Sequence, residues 1–202
     1  NRLRWHLHEL DPGGDHETHG LNGAKALRAL EEQLAGQDGL VPAIALELVQ
    51  GVRALTRRIN QLEADITART EMLAPNLLAL QGCGALTAAK LVGEIGGAAR
   101  FRSRAAFAMH NGTAPIPVWS GHAERFRLNR SGNRQVNAAL HRIAITQMRL
   151  DGAGKDYIAK RISLGNTKRE AIRALRRRIS DEVFRRLLSD EAGGKRSQRQ
   201  AA

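Results

Sequence analysis

The sequence predicts an all-α, mainly helical fold, and three observations carry that prediction. Aromatic residues make up only 3% of the chain, while alanine, leucine and arginine abound and β-branched residues are sparse, a composition that favours an aliphatic helical interior. Apolar residues recur three and four positions apart, which is the period of a helix face. Glycine and proline gather in short stretches that punctuate these runs. At 202 residues the chain is long enough for one core of ordinary size, or for a small domain joined to an elongated element.

Taken in order, Asn1 to Leu10 reads as a helix cut off at its start, because Leu3, His6, Leu7 and Leu10 fall at helical spacing with no N-cap before them. Asp11 to Gly20 is rich in Pro, Gly and Asp and reads as a loop. A short amphipathic helix with Leu27, Leu30 and Leu34 then ends near Gly36 and Gly39. From Pro42 to Leu73 the apolar positions are Leu48, Val52, Leu55, Ile59, Leu62, Ile66 and Leu73, spaced mostly four and three apart. That is the seam of a coiled coil, with Arg57, Arg58, Glu63 and Asp65 off it, and it predicts helix–helix association within the chain or between chains. Ala74-Pro75 ends the helix, since a residue before proline is pushed out of the α region.

Leu77 to Gly97 carries an apolar helix end, the turn Gly82-Cys83-Gly84, and a second helix over Leu86 to Ile95 that bears Lys90. Two glycines in a tight interhelical turn leave backbone N–H groups exposed at a helix N-terminus, the design of a helix-hairpin-helix that holds a DNA phosphate. A plain turn between helices with a glycine cap explains the pattern equally well. A helix around Ser103 to Met109 follows, with Phe101 and Phe107 in the core. Asn111 to Gly121 (NGTAPIPVWSG) cannot be regular helix and is expected to be a loop that presents Trp119, Ser120 and Gly121. After a break at Gly132-Asn133, Arg134 to Leu150 is a helix with Val136, Leu140, Ile143 and Ala144 inward and Arg134, Arg142 and Arg149 outward. Helices over Lys155 to Leu164 and Thr167 to Leu188 complete the domain, the last with Ile172, Leu175, Ile179, Val183 and Leu187 on one face. The expected divisions are thus 1–40, a coiled-coil helix at 41–75, a basic helical domain at 76–190, and a disordered tail at 191–202.

The charge is segregated. Residues 1–124 hold 12 Lys/Arg against 13 Asp/Glu, whereas residues 125–186 hold 17 against 5, so one third of the chain carries an excess equal to the whole net charge of +12. Such a block attracts a polyanion, and a nucleic-acid backbone is the usual one. The single cysteine, Cys83, excludes an intrachain disulfide framework, and no Cys/His cluster has the spacing of a zinc site. His110, His122 and His141 match no helix-face ligand pair. No apolar run is long enough to span a membrane and no leader is recognisable, so the expected location is the bacterial cytoplasm, in association with the nucleoid.

The ordered motifs L-x-x-L-x-G-x-G-x-x-T-A-x-x-L-x-x-E-I-G (Leu77 to Gly96), Phe101, G-T-A-P-I-P-x-x-S-G (Gly112 to Gly121) and S-G-N-R (Ser131 to Arg134) resemble the transposases of the insertion-sequence 110/116/902 family, most closely over residues 77–150. The resemblance implies an amino-terminal RuvC-like nuclease domain with metal-binding carboxylates, a coiled coil, and a carboxy-terminal domain that contributes a nucleophilic serine, which here falls on Ser120. It also implies a structured guide RNA from the element, an oligomer whose active sites combine subunits, and Mg²⁺ in the intact enzyme. The acids before residue 40 fall on helices or in a loop, so the RuvC-like carboxylates have no counterparts; residues 1–40 are expected to be helices that follow that domain, and no cofactor is expected in this stretch.

A lone serine has a high pKa and is usually a turn residue, so Ser120 acquires a catalytic role only through the resemblance. The candidate DNA-binding residues are Gly82, Gly84, Lys90, Arg125, Arg127, Arg130, Arg134 and Arg142. Tyr157, the only tyrosine, has no recombinase-like Arg/His constellation and is assigned to the core. The competing class is a non-catalytic basic helix-hairpin-helix protein that binds DNA or RNA structure.

Overall fold

The computed structural model describes residues 2–14, 23–121 and 123–200, with the backbone alone at 120, 123–125 and 195–200. The described chain is predominantly helical, as its composition predicts, and divides into two compact units, residues 1–64 and 65–202.

In the first unit, α1 (Arg2–Leu10), α2 (Ala24–Ala35) and the amino-terminal part of α3 (Leu40–Leu73) bury Leu7, Leu27, Leu34, Ala45 and Val49 together. Arg53 of α3 pairs with Glu31 of α2 beside this cluster. α3 is one uninterrupted helix of 34 residues, and the apolar stripe predicted along it stands in solvent at Leu55, Ile59 and Leu62.

In the second unit, Ala74 leaves the helical region and Pro75 opens α4 (Pro75–Leu78), a single turn. α4 leads through the glycine turn into α5 (Ala85–Ile95), whose left-handed C-cap is Gly96. A 3-10 turn (Ala98–Arg100) precedes α6 (Arg104–His110), which Ser103 caps by accepting from Ala106 N–H. α7 (Arg134–Arg149) is capped by the Asn133 side chain, which accepts from Gln135 N–H and Val136 N–H. α8 (Ala153–Ser163) and α9 (Lys168–Gln200) follow. α9 opens with a reciprocal cap: Thr167 N–H donates to Glu170, and Glu170 N–H to the Thr167 hydroxyl.

α9 is the axis of this unit and packs on α4, α6, α7, α8 and the 3-10 turn. Its inward residues Ala171, Leu175, Ile179, Val183 and Leu187 meet Leu77, Leu91, Phe107, Leu140 and Ile143 in the larger core. Two carboxylates near its end tie down other segments: Asp190 accepts from Asn76 N–H and Leu77 N–H at the start of α4, and Glu191 accepts from Ala98 N–H and Ala99 N–H.

Two sequence expectations are corrected. The stretch expected as a loop at 111–121 contains β1 (Ile116–Ser120), which pairs antiparallel with β2 (Ala123–Arg127) from Ile116↔Arg127 to Ser120↔Ala123. Proline tolerates an edge strand, and Gly121, with φ 63°, supplies the positive φ that a short hairpin connection needs. The tail expected to be disordered continues α9 as helix to Gln200.

Candidate nucleic-acid interface

The two glycine motifs around the hairpin are halves of one structural device. Gly112 and Gly132 both have positive φ, 71° and 98°, and lie against each other's strand of backbone. A Cβ on Gly112 would come within 2.5 Å of Ser131 O, and one on Gly132 within 2.6 Å of His110 O. Asn133 N–H donates to His110 O at 2.7 Å, and Asn137 Nδ2 to Asn111 O at 2.7 Å. Asn111, fully buried, donates through Nδ2 to Ser180 Oγ on α9. The root of the hairpin is therefore clamped between α6, α7 and α9, while its far end carries position 120.

Around that root the arginines converge. A cavity of about 300 Å³ is lined by Asn129, Arg130, Arg134, His141 and Arg176, and Arg127 with Arg130 lines a neighbouring one. Burial, followed by the charge of Arg176, holds His141 below the usual histidine pKa. His110, tilted against Phe101, is lowered by burial first and Arg100 second. Residues 134, 138, 141, 142, 145 and 149 fall on one helical stripe of α7, opposite its buried face, so Arg134, Arg142 and Arg149 form a cationic line about 22 Å long.

The candidates do not all meet. Arg127, Arg130 and Arg134 stand together at the hairpin root. Position 120 is at the other end of β1, about 13 Å along the strand. By strand alternation the positions 120, 125 and 127 share one hairpin face; the side chains of Ser120 and Arg125 lie outside the described residues, as does His122. On the other face, Trp119 and Phe126 are exposed.

Gly82 and Gly84 sit elsewhere, beside the carboxy-terminal half of α7. Gly82 has φ 83°, and a Cβ there would stand 3.1 Å from Thr146 Cβ and 3.2 Å from Ile143 O, so this glycine is required for close packing on α7. Gly84 meets nothing within 4 Å and leaves the start of α5 without a side-chain cap. Lys90 is half-buried on α5. Cys83 between the glycines is buried, and desolvation pushes its thiol up to about 12, a structural and unreactive sulfur. Tyr157 is half-buried at the edge of the core under the Arg178 guanidinium.

Sequence reasoning missed Asn129, Arg161 and Arg176, which line cavities at the cationic hairpin root. Their signal was only the collective one, membership or neighbourhood of the basic block, because the fold and not the sequence order gathers them. Among the described residues no group of three or more His, Cys, Asp or Glu side chains could hold a metal ion. No helix among them is long and apolar enough to cross a membrane.

Comparison with known proteins agrees with the motif reading. The model of the family described as "Transposase IS116/IS110/IS902 family" matches residues 74–159. The "Insertion element IS110 uncharacterized 43.6 kDa protein" of Streptomyces coelicolor is 32% identical over 160 residues, covering 75% of this chain and 39% of that protein. The "Insertion element IS116 uncharacterized 44.8 kDa protein" of Streptomyces clavuligerus is 26% identical over 173 residues, 84% of this chain and 43% of that protein. The chain spans about two fifths of the length of these relatives.

Proposed function

We propose that this chain, a relative of the IS116/IS110/IS902 transposases whose family model matches its residues 74–159, is the DNA-engaging and nucleophile-bearing part of an insertion-element transposase. The observation that carries the reading is the cationic root of the β1–β2 hairpin: Arg127, Arg130, Arg134 and Arg176 surround the base of a projection whose far end bears position 120. A strand laid along these arginines has its phosphates neutralised beside the hairpin. Attack by Ser120 Oγ would form an O–P bond to one phosphate as a P–O bond to the adjoining sugar breaks; the hydroxyl proton goes to a base and the departing sugar oxygen gains one.

That step needs a group to take the serine proton. The described residues of this chain gather no set that fits a magnesium ion, and the chemistry calls for carboxylates contributed from outside the described residues. A structured guide RNA and a second subunit belong to the same proposal. In it Gly84 and Lys90 at the glycine turn, together with Arg142 on α7, hold further backbone phosphates; Gly82 serves there through packing.

The test is a protein–DNA adduct formed by an enzyme that joins this stretch to a RuvC-like domain, assayed with magnesium and guide RNA. Ser120→Ala is expected to abolish the adduct and leave DNA affinity within about twofold. An adduct that survives Ser120→Ala would sink the assignment and favour a non-catalytic nucleic-acid-binding role.

A further inference from the structure

Beneath the hairpin root, on the side facing α8 and α9, lies a further cavity, of about 450 Å³, lined by Gly112 to Pro115, Phe126 to Asn129, Arg161, Arg173 and Arg176. Its size falls within the range of about 300–1,000 Å³ typical of small-ligand sites. Three of its lining side chains have buried nitrogen donors with no acceptor: Asn129 Nδ2, Arg161 Nε and Arg176 Nε. Asn129 is only 6% exposed. Its Oδ1 accepts from Ser131 N–H at 2.9 Å and from Ser131 Oγ at 2.7 Å, which fixes the amide so that its nitrogen is the unpartnered end. Arg176 spends one nitrogen on Asn137 Oδ1, a neutral partner, and among the described residues no carboxylate pairs with it. Of the nearby charges, Arg177 pairs with Asp181 and Arg178 lies over Tyr157, while the Glu170 carboxylate that lines the cavity accepts from Thr167 N–H and Oγ and also feels the charges of Arg173 and Arg161.

An unsatisfied buried donor is costly, more so on a guanidinium. Three such donors among the side chains lining one cavity, two of them on guanidiniums, favour a ligand that accepts hydrogen bonds and carries negative charge, because the single Glu170 carboxylate in the lining offsets only part of the charge of its arginines. A phosphate group meets both conditions and suits arginine geometry. We propose that Asn129, Arg161 and Arg176 form a built phosphate site that holds one backbone phosphate of a bound nucleic acid at the hairpin root, with the exposed Phe126 ring at its rim offering a surface for the attached base. The site deepens the transposase reading and rests on it only for the source of the phosphate.

The test uses the 202-residue chain, its Arg176→Gln and Arg161→Gln variants, and Asn129→Asp, which keeps the acceptor for Ser131 and puts a negative charge where the amide nitrogen stood. Each variant is checked for folding by circular dichroism. Inorganic phosphate at a hundred times its Kd is expected to raise the Tm of the parent by about 5–10 °C. The shift should vanish in Asn129→Asp and fall strongly in both arginine variants. Affinity for a DNA oligonucleotide should drop about tenfold in each folded variant. A phosphate-induced shift that is absent from the parent, or equal in the parent and all folded variants, overturns the site. A shift that disappears in the variants while DNA affinity is unchanged overturns its assignment to nucleic acid and leaves a free-anion pocket. The phosphate arm requires no DNA, so failure of the transposase reading and failure of the site give different patterns.

Discussion

At the scale of single residues, two classes of glycine separate by what a side chain would meet. Gly132 has φ 98°, and its Cβ would stand 2.6 Å from His110 O and 2.7 Å from Gly112 N, both backbone atoms that cannot rotate away. Gly121 has φ 63° with nothing within 4 Å. Gly132→Ala is therefore expected to cost about 2–4 kcal/mol, from backbone strain plus overpacking. Gly121→Ala should cost about 1 kcal/mol, the left-handed penalty alone. Urea unfolding of both measures the difference, and equal losses would refute the clamp at the hairpin root. The glycines of the two motifs were legible in the sequence, but their mutual approach was not, because Gly112 and Gly132 are brought together by a hairpin that reads locally as a proline-rich loop. Asn129 illustrates the same limit: nothing in its neighbours distinguishes a buried amide with a free nitrogen from an ordinary turn residue.

At the scale of elements, helical periodicity transferred well. The faces read for α7 and α9 are the buried ones: Val136, Leu140, Ile143 and Ala144 on the first, and Leu175, Ile179, Val183 and Leu187 on the second, with Ile172 half-buried against the same core. The breaks read before these helices hold their caps: Asn133 accepts from Val136 N–H, and Thr167 Oγ donates to Glu170. The hairpin was missed because Pro115 and Pro117 argue against a strand; Pro115 lies just before β1, and Pro117 within it is accommodated at the edge of a two-stranded sheet. The predicted helix-hairpin-helix is reduced on its first side to the four residues of α4, held by Asp190 across more than a hundred residues of sequence, a bond that no local pattern announces. α3 poses the open energetic question of this scale. Leu55, Ile59 and Leu62 are 66%, 56% and 42% exposed and lie on one stripe. Packing of this stripe against a second copy would remove it from water, as coiled-coil seams do. The double variant Leu55→Lys, Ile59→Lys is expected to sediment as a monomer at concentrations where the parent associates. A parent that is itself monomeric at high concentration would rule out the seam as an interface.

At the scale of the whole molecule, the charge block and the core are built from the same helices, and that decides how DNA binding can be tested. Truncation after Glu124 would remove the basic residues, but it would also remove α7, α8 and α9 and with them Leu140, Ile143, Leu175 and Val183, so loss of binding would report unfolding. The informative experiment keeps the fold and moves charge. Arg127, Arg130 and Arg134 are exposed at the hairpin root, and Arg2, Arg4 and Arg28 are also exposed in the first unit. Replacing either trio by glutamine lowers the net charge by the same amount. If affinity follows the local field at the hairpin and not the total charge, only the first trio changes the salt dependence of duplex binding. The slope of log K against log salt should become shallower by about 0.9 for each phosphate left without its arginine, hence by two to three in all, roughly. The second trio should leave the slope within error and change affinity little, because the slope counts only the charges that neutralise phosphates of the bound duplex. Equal flattening by both trios would mean that binding is a property of net charge, and the hairpin root would lose its claim to be the interface.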